Sequence, residues 1–301
     1  MSTMTSAFSA LLAPGLRKVF GTEWKDFAEE FSNIANVLTS KRAYEEELTT
    51  AGLGLHQPKG EGQPIVYDDP IQGDVQRYTH ATWALGFRVT REMYDDDQYG
   101  VMKKMAKQLA RSARLTIEFA FGAFLDDIFT GSVYTGADSA ALCASHTLMT
   151  GATYANYAAT ATDLTIGALR SASERMEKTV SERGLPDTRG QGARLLVTPL
   201  YAWYASEILK SKLKAYTADN TMNAFDGLGI EPKVTHYQSD EDQWTLWAPK
   251  SMYDVKFFWR QQPKFDNEDD FDTKDAKFSS YMRFSQGFTD WRGVDGSGGA
   301  A

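Results

Sequence analysis

A single cysteine, Cys143, in 301 residues excludes an intrachain disulfide, so the chain is held by packing or association, which suits a reducing cytoplasm. Cys143 itself reads as a small, partly buried residue. No segment approaches the roughly 20 apolar residues of a membrane span, so no membrane partner is expected. The N-terminal MSTMTSAFSALLAPGLRKVF carries no basic residue before Arg17, the wrong order for a secretory signal. Excess positive charge is also missing. With 32 Lys and Arg against 40 Asp and Glu, the net charge of -8 argues against a free nucleic-acid-binding domain. Contact with DNA is therefore expected to be weak and local. His56, His80, His146 and His236 are scattered without HExxH or close Cys/His spacing, which leaves no zinc site.

The remaining candidate chemistry is thin. Asp126-Asp127 and Asp68-Asp69 are adjacent carboxylates, but neighbours in sequence do not face each other on a helix, so a hydrolase built on either pair is disfavoured. The acidic run Asp266, Glu268, Asp269, Asp270, Asp272 and Asp275 would need Gly where Phe271 stands and Glu where Lys277 stands to be an EF-hand loop. It reads as a charged turn between strands. Gly227-Leu228-Gly229 and the terminal glycines lack the strand and helix that hold phosphate, and no Gly-x-Ser-x-Gly occurs. No catalytic, cofactor-binding or metal residue is assigned.

What is present is patterned for a core. After Pro14-Gly15, the spacing of Phe20, Trp24, Phe27, Phe31, Ile34 and Val37 predicts a helix with an aromatic stripe, either a docking surface or packed on its own domain. Gly52 to about Asp74, rich in Gly and Pro, predicts an extended loop or long hairpin around Ile65-Val66-Tyr67. Trp83, Leu85, Phe87 and Val89 alternate as a strand that should line a core. Asp95, Asp96 and Asp97 supply negative charge at the start of a helix running to about Phe129, close to 50 Å long at ~1.5 Å per residue. Lys103, Lys107, Arg111 and Arg114 line one side of it. That stripe is a solvated face, a partner for an acidic neighbour, or a surface toward packaged polyanion.

A second unit of mixed α and β character follows between about Thr130 and Thr245. Asp163 or Thr165 caps a helix that Arg183-Gly184 ends. Leu195 to Val197 predicts a buried strand, and Pro199 opens a helix over Leu200 to Lys210. Strands return at Trp244 to Ala248, Val255 to Arg260 and Lys277 to Phe288.

This order of parts resembles the major capsid protein of tailed phages, of the Hong Kong 97 type fold, in its Mu-like major head subunit branch. The likeness is carried by Ala144-Ser145-His146-Thr147-Leu148, Ala158 to Leu164, Arg183-Gly184-Leu185-Pro186, Leu195 to Pro199, Thr217 to Asn220 with Asn223-Ala224, and Phe257-Phe258-Trp259-Arg260 through Trp291-Arg292-Gly293. The resemblance implies an α+β fold with an N-terminal arm over 1–51 and an E-loop over 52–80 reaching a neighbouring subunit. It implies a peripheral domain over 81–134 with a spine helix, an axial domain over 135–245, the rest of the peripheral domain over 246–293, and a flexible C-terminal tail over 294–301.

The implied function is a head subunit forming hexamers and pentamers of an icosahedral shell, in the virion and, before assembly, in the host cytoplasm. Its implied partners are a portal protein at one vertex, a separate scaffold, a maturation protease, a decoration protein, and packaged double-stranded DNA held weakly. An encapsulin-like nanocompartment is the alternative. Trp24, Phe27, Phe31, Lys59, Ile65, Tyr67, Asp269 and Asp270 are the expected intersubunit contacts. Lys103, Lys107, Arg111 and Arg114 are expected to face a neighbour or DNA. Lys59 is the only lysine in the loop, and no partner motif for a covalent crosslink is evident.

Overall fold

A computed structural model describes residues 8–96, 99–187, 191–213, 222–270, 272–273 and 275–300. Its first third holds α1 (Phe8–Asp26), α2 (Phe31–Ile34), β1 (Asn36–Thr39), β2 (Tyr44–Ala51), β3 (Ile71–Thr79) and β4 (Ala81–Val89). Next come α3 (Arg91–Asp95), α4 (Tyr99–Asp126), β5 (Ser145–Thr147), β6 (Thr153–Ala155) and α5 (Ile166–Glu177). The chain then forms β7 (Arg194–Val197), α6 (Ala202–Lys210), β8 (Glu231–Val234), β9 (Trp244–Trp247), β10 (Val255–Asp269), β11 (Ala276–Phe288) and β12 (Val294–Ser297).

The chain divides into two compact units. The first comprises Met1–Tyr44, Thr79–Phe121 and Phe257–Ser285. Its sheet runs β1-β10-β11-β4, with β4 an antiparallel edge strand that sets Phe87 opposite Phe278 and Trp83 opposite Met282. Ala13, Leu16 and Phe20 of α1 recur at helical spacing and meet Met102, Ala106, Leu109 and Ala110 of α4 over Val89, Phe265 and Phe278 of the sheet. That apolar seam is the unit's core.

Three expectations change here. The aromatic stripe from Phe20 to Val37 is not one helix: α1 begins at Phe8, contains Pro14, and ends at Asp26. The chain then re-enters as α2 because the buried Glu118 carboxylate accepts hydrogen bonds from the amides of Glu30 (3.0 Å) and Phe31 (3.1 Å), supplying the cap that Glu30's side chain does not. The long helix ends at Asp126, about 42 Å at ~1.5 Å per residue. It stops there because Asp127 turns its carboxylate onto the following loop and Gly131 adopts a left-handed φ of 60°. Asp95 pairs with Arg91 in the separate α3, and Asp97 lies outside the described residues. The β4 strand buries Val89 fully but leaves Trp83 and Leu85 exposed, because it is an edge and the helical seam covers only its Val89 end.

The second unit comprises Glu45–Tyr78, Gly122–Lys256 and Gln286–Ala301. Its sheet runs β12-β9-β7-β8, with β7 parallel to β8 and antiparallel to β9. Thr165 caps α5 by accepting from the Ala168 amide, and α5 stops at Glu177 rather than at Gly184 because Val180 bridges to Pro186. Pro199 opens a 3-10 turn that runs into α6. The first half of the segment 294–301 expected to be a flexible tail is instead strand β12, with Asp295 buried and bound by Arg175 at 2.9 and 2.5 Å. Its glycine content reflects close packing: a Cβ on Gly296 would lie 2.5 Å from the Trp244 carbonyl oxygen. The Thr217 to Asn220 motif lies outside the described residues.

Candidate functional site

The groups that could carry chemistry are occupied with holding the fold. Burial disfavours the Asp127 carboxylate, but hydrogen bonds from Ser132, Thr130, Tyr134 and Val133 outweigh it and hold the group well below the usual carboxylate range. Its neighbour Asp126 accepts from the Ser239 amide and hydroxyl and the Asp240 amide, so the two carboxylates serve different loops and do not converge. His146 is fully buried, stacks on Trp291 at 4.4 Å, and bonds Asp138 through Nδ1 (2.6 Å) and the Leu142 carbonyl through Nε2 (3.3 Å). Both ring nitrogens are thus committed away from any nucleophile. Cys143 is buried and burial pushes its thiol up. Among the described residues no group of His, Cys, Asp and Glu could hold a metal ion, and no helix is long and apolar enough to cross a membrane.

Surfaces are a different matter. Strands β2 and β3 pair as a two-stranded ribbon whose tip, residues 52–70, is exposed throughout most of its length. Ile65 and Tyr67 project from it, Tyr67 at 88% exposure, and Lys59 is exposed as well. The tip is not loose at its neck. Asp68 accepts from the Gly54 amide (2.7 Å) and pairs with Arg183 at 3.0 Å, while Arg183 also donates to the Asp69 carbonyl (2.6 Å). At the ribbon's other end Glu47 takes the Lys256 ammonium and the Thr289 hydroxyl, and Thr289 meets the buried Tyr78 hydroxyl at 2.6 Å. These contacts tie the ribbon to its own unit. An apolar ribbon exposed in this way is unfavourable for an isolated chain.

The α4 stripe is divided. Arg114 is buried, donates to Glu29 (2.6 Å) and the Trp24 carbonyl (2.9 Å), and lies over the Trp24 ring. Arg111 (2.5 Å) and Lys107 (3.8 Å) both pair with Glu23 of α1. Lys103 is exposed and sits over the Tyr99 ring. Lys107 and Arg111 therefore find their acid on the chain's own first helix, while Arg114 finds its acid in the turn after that helix and is removed from any outer face.

The expected contact residues separate in the same way. Phe31 is buried between Phe121 and Phe257 and offers no contact surface, while Trp24 and Phe27 are half-buried. At the β10–β11 hairpin tip Asp269 is exposed, and Asp270 pairs with Lys277 and accepts from the Asp272 amide (3.0 Å), as a charged turn between strands. Sequence reasoning passed over Trp203, which stands 85% exposed on α6, and Arg183, which pins the loop. Helical periodicity could have flagged Trp203, since Ala205, Ile208 and Leu209 define the opposite, buried face.

Residues 74–294 match the family model described as phage capsid protein. No curated protein matches the sequence. Solved structures similar to this chain include the procapsid of bacteriophage JBD30, at 16% identity and TM-score 0.51, covering 98% of this chain and 76% of that one. The capsid of an empty GTA particle is similar at 12% identity and TM-score 0.56, covering 91% and 92%. Mycobacterium phage Adephagia gives 12% identity and TM-score 0.52, with 92% of each chain covered. At these identities the likeness concerns the fold, which is the Hong Kong 97 type.

Proposed function

The chain belongs to the phage capsid protein family, and from that membership we propose that it is the major head subunit of a tailed double-stranded DNA phage, a structural protein rather than an enzyme. The observation that carries this reading is the family match across residues 74–294, which takes in β4, the long helix and the hairpin of the first unit as well as nearly all of the second sheet. Subunits assemble with copies of themselves as hexamers and pentamers into an icosahedral shell located in the virion. In this reading the arm is 1–51, the E-loop 52–80, the peripheral domain 81–134 with 246–293, and the axial domain 135–245. The exposed ribbon and Trp203 support it, because both are costly on a free chain and gain cover between copies.

The proposal extends to a portal at one vertex, a separate scaffold, a maturation protease, a decoration protein, and packaged DNA in weak non-specific contact, with subunits made in the host cytoplasm. Division of the α4 stripe by Glu23 and Glu29 leaves Lys103 as its cation available to DNA or a neighbour. Electron microscopy of negatively stained purified protein tests the reading. Closed shells are expected, and a monodisperse monomer at assembly concentrations refutes it. Shells carrying an enzyme cargo, with no portal or DNA, point instead to an encapsulin-like nanocompartment.

A further inference from the structure

The sheet of the first unit has two faces of opposite character. On β11, Phe278, Met282 and Phe284 are buried under the helical side, and the alternate positions Lys277, Ser279, Tyr281 and Arg283 point the other way. On β10 Phe257, Trp259 and Phe265 are buried on the same side, and the outer face carries Arg260, Lys264 and Glu268 beyond the buried Phe258. Arg260 and Arg283 are half-buried there, and the Nε of each is fully buried with no hydrogen-bond partner. Among the described residues neither guanidinium makes an ion pair or a hydrogen bond. A guanidinium with buried, unanswered donors is unfavourable.

Complementary charge exists at the far end of the same hairpin. Lys264 is answered by Asp266 (3.0 Å) and Lys277 by Asp270 (2.5 Å), whereas Glu268, Asp272 and Asp275 have no basic partner among the described residues. Glu268 lies eight residues from Arg260 along β10, and Asp275, just before β11, lies eight residues from Arg283, about 26 Å in each case at ~3.3 Å per residue. Two paired strands of this length keep the acids and the arginines of one chain apart. Among the described residues neither surplus is answered within the chain, which leaves both open to another molecule.

We propose that the acidic hairpin tip of one copy docks on the Arg260–Arg283 face of a second copy. Charge complementarity selects this occupant: the chain carries a patch of opposite sign on the same hairpin, three carboxylates against two guanidiniums, so one repeated contact answers both ends. The inference rests on the capsid reading, since it needs copies held side by side.

The test is charge reversal with restoration. Relative to wild type, E268K/D272K/D275K and R260E/R283E should each fold with an unchanged circular dichroism spectrum but give at least about tenfold fewer shells. The chain carrying all five changes should recover shell yield to within about twofold, because reversed charges attract as the originals did. Should glutamate disturb the half-buried positions, R260Q/R283Q serves instead: wild-type shell yield should decline between about 50 mM and about 500 mM salt, and the variant's yield should not. Tip-reversed subunits that assemble as wild type, or a combined variant no better than the single sets, overturn the proposal. Normal shell numbers with lost DNA in R260E/R283E also overturn it, and assign the face to DNA. Failure of wild-type protein to form any shell removes the capsid reading itself, which separates the two.

Discussion

The Arg114 guanidinium lies 3.7 Å from the centroid of the Trp24 ring while donating to the Trp24 carbonyl and to Glu29. One cation thus fastens α1 and the turn after it to α4, in a site where Arg114 is 2% exposed. Arg114→Ala leaves Glu29 and the Trp24 carbonyl unanswered and empties the space over the ring, so unfolding should become easier by about 3 kcal/mol. Lys103→Ala, on the exposed part of the same stripe, should change stability by less than about 0.5 kcal/mol. Urea denaturation of both variants checks this. Equal small effects would mean that the stripe is a solvated face after all.

Replacing residues 54–69 by a short turn should leave a folded subunit that does not close into stable shells. The ribbon strands β2 and β3 lie outside this cut, and the ion pair it removes, Asp68 with Arg183, is partly exposed and so adds little to subunit stability. Ile65 and Tyr67, by contrast, take their exposed apolar surface with them. Circular dichroism should match wild type while electron microscopy shows few or no shells. Normal shells from the shortened chain would falsify an intersubunit role for the loop.

Lys59 is exposed on the ribbon tip, and no partner motif accompanies it. Assembled shells boiled in denaturing detergent should therefore run as a single subunit band. A ladder of subunit multiples that disappears in Lys59→Ala would establish a covalent lattice instead.

Much of the architecture was legible because it rests on local rules. Thr165 at the start of α5, Pro199 ahead of α6 and the apolar run Leu195 to Val197 each carry their signal within a few residues. The ribbon was legible for the same reason, in its Gly and Pro punctuation. What was not legible depends on residues far apart in sequence. The Glu23 and Glu29 partners of the α4 cations lie about ninety positions away, as does the Glu118 cap that splits the arm into two helices. Strand β12 was hidden because Val294 to Ser297 has weak strand propensity and forms by pairing with β9, while Arg175 neutralises Asp295 from α5. The open arginines at 260 and 283 sit in readable alternation, but only the three-dimensional arrangement shows that no acid among the described residues reaches them.

Replacing Asp269 and Asp270 together by alanine should weaken shells more than it weakens the subunit. Asp270 also accepts from the Asp272 amide and holds Lys277, so a small local cost is expected in this exposed turn. Shell disruption by denaturant should shift by more than subunit unfolding does. Parallel losses of equal size would place both residues in folding alone.

Glu118 makes the first unit sensitive to pH. Burial pushes its carboxyl up to about 7, against the amides of Glu30 and Phe31 and the charge of Arg114, with the Glu30 charge adding to the rise. From its ordinary value of 4.5 up to about 7, the unfolded chain has released a proton that the folded chain still holds. Stability from this group is therefore fully present below 4.5 and declines as pH rises through the window, by at most about 1.4 kcal/mol per pH unit. Glu118→Gln removes the titration and one of the two amide acceptors, so it should cost about 1 kcal/mol at low pH and show a flatter profile up to pH of about 7. Asp295, raised by burial to about 6, titrates in the same range in both proteins and cancels in the difference. Unfolding free energies measured across that range for wild type and E118Q give the comparison directly. Parallel pH profiles would show that Glu118 stays ionised, held so by the two amides it caps.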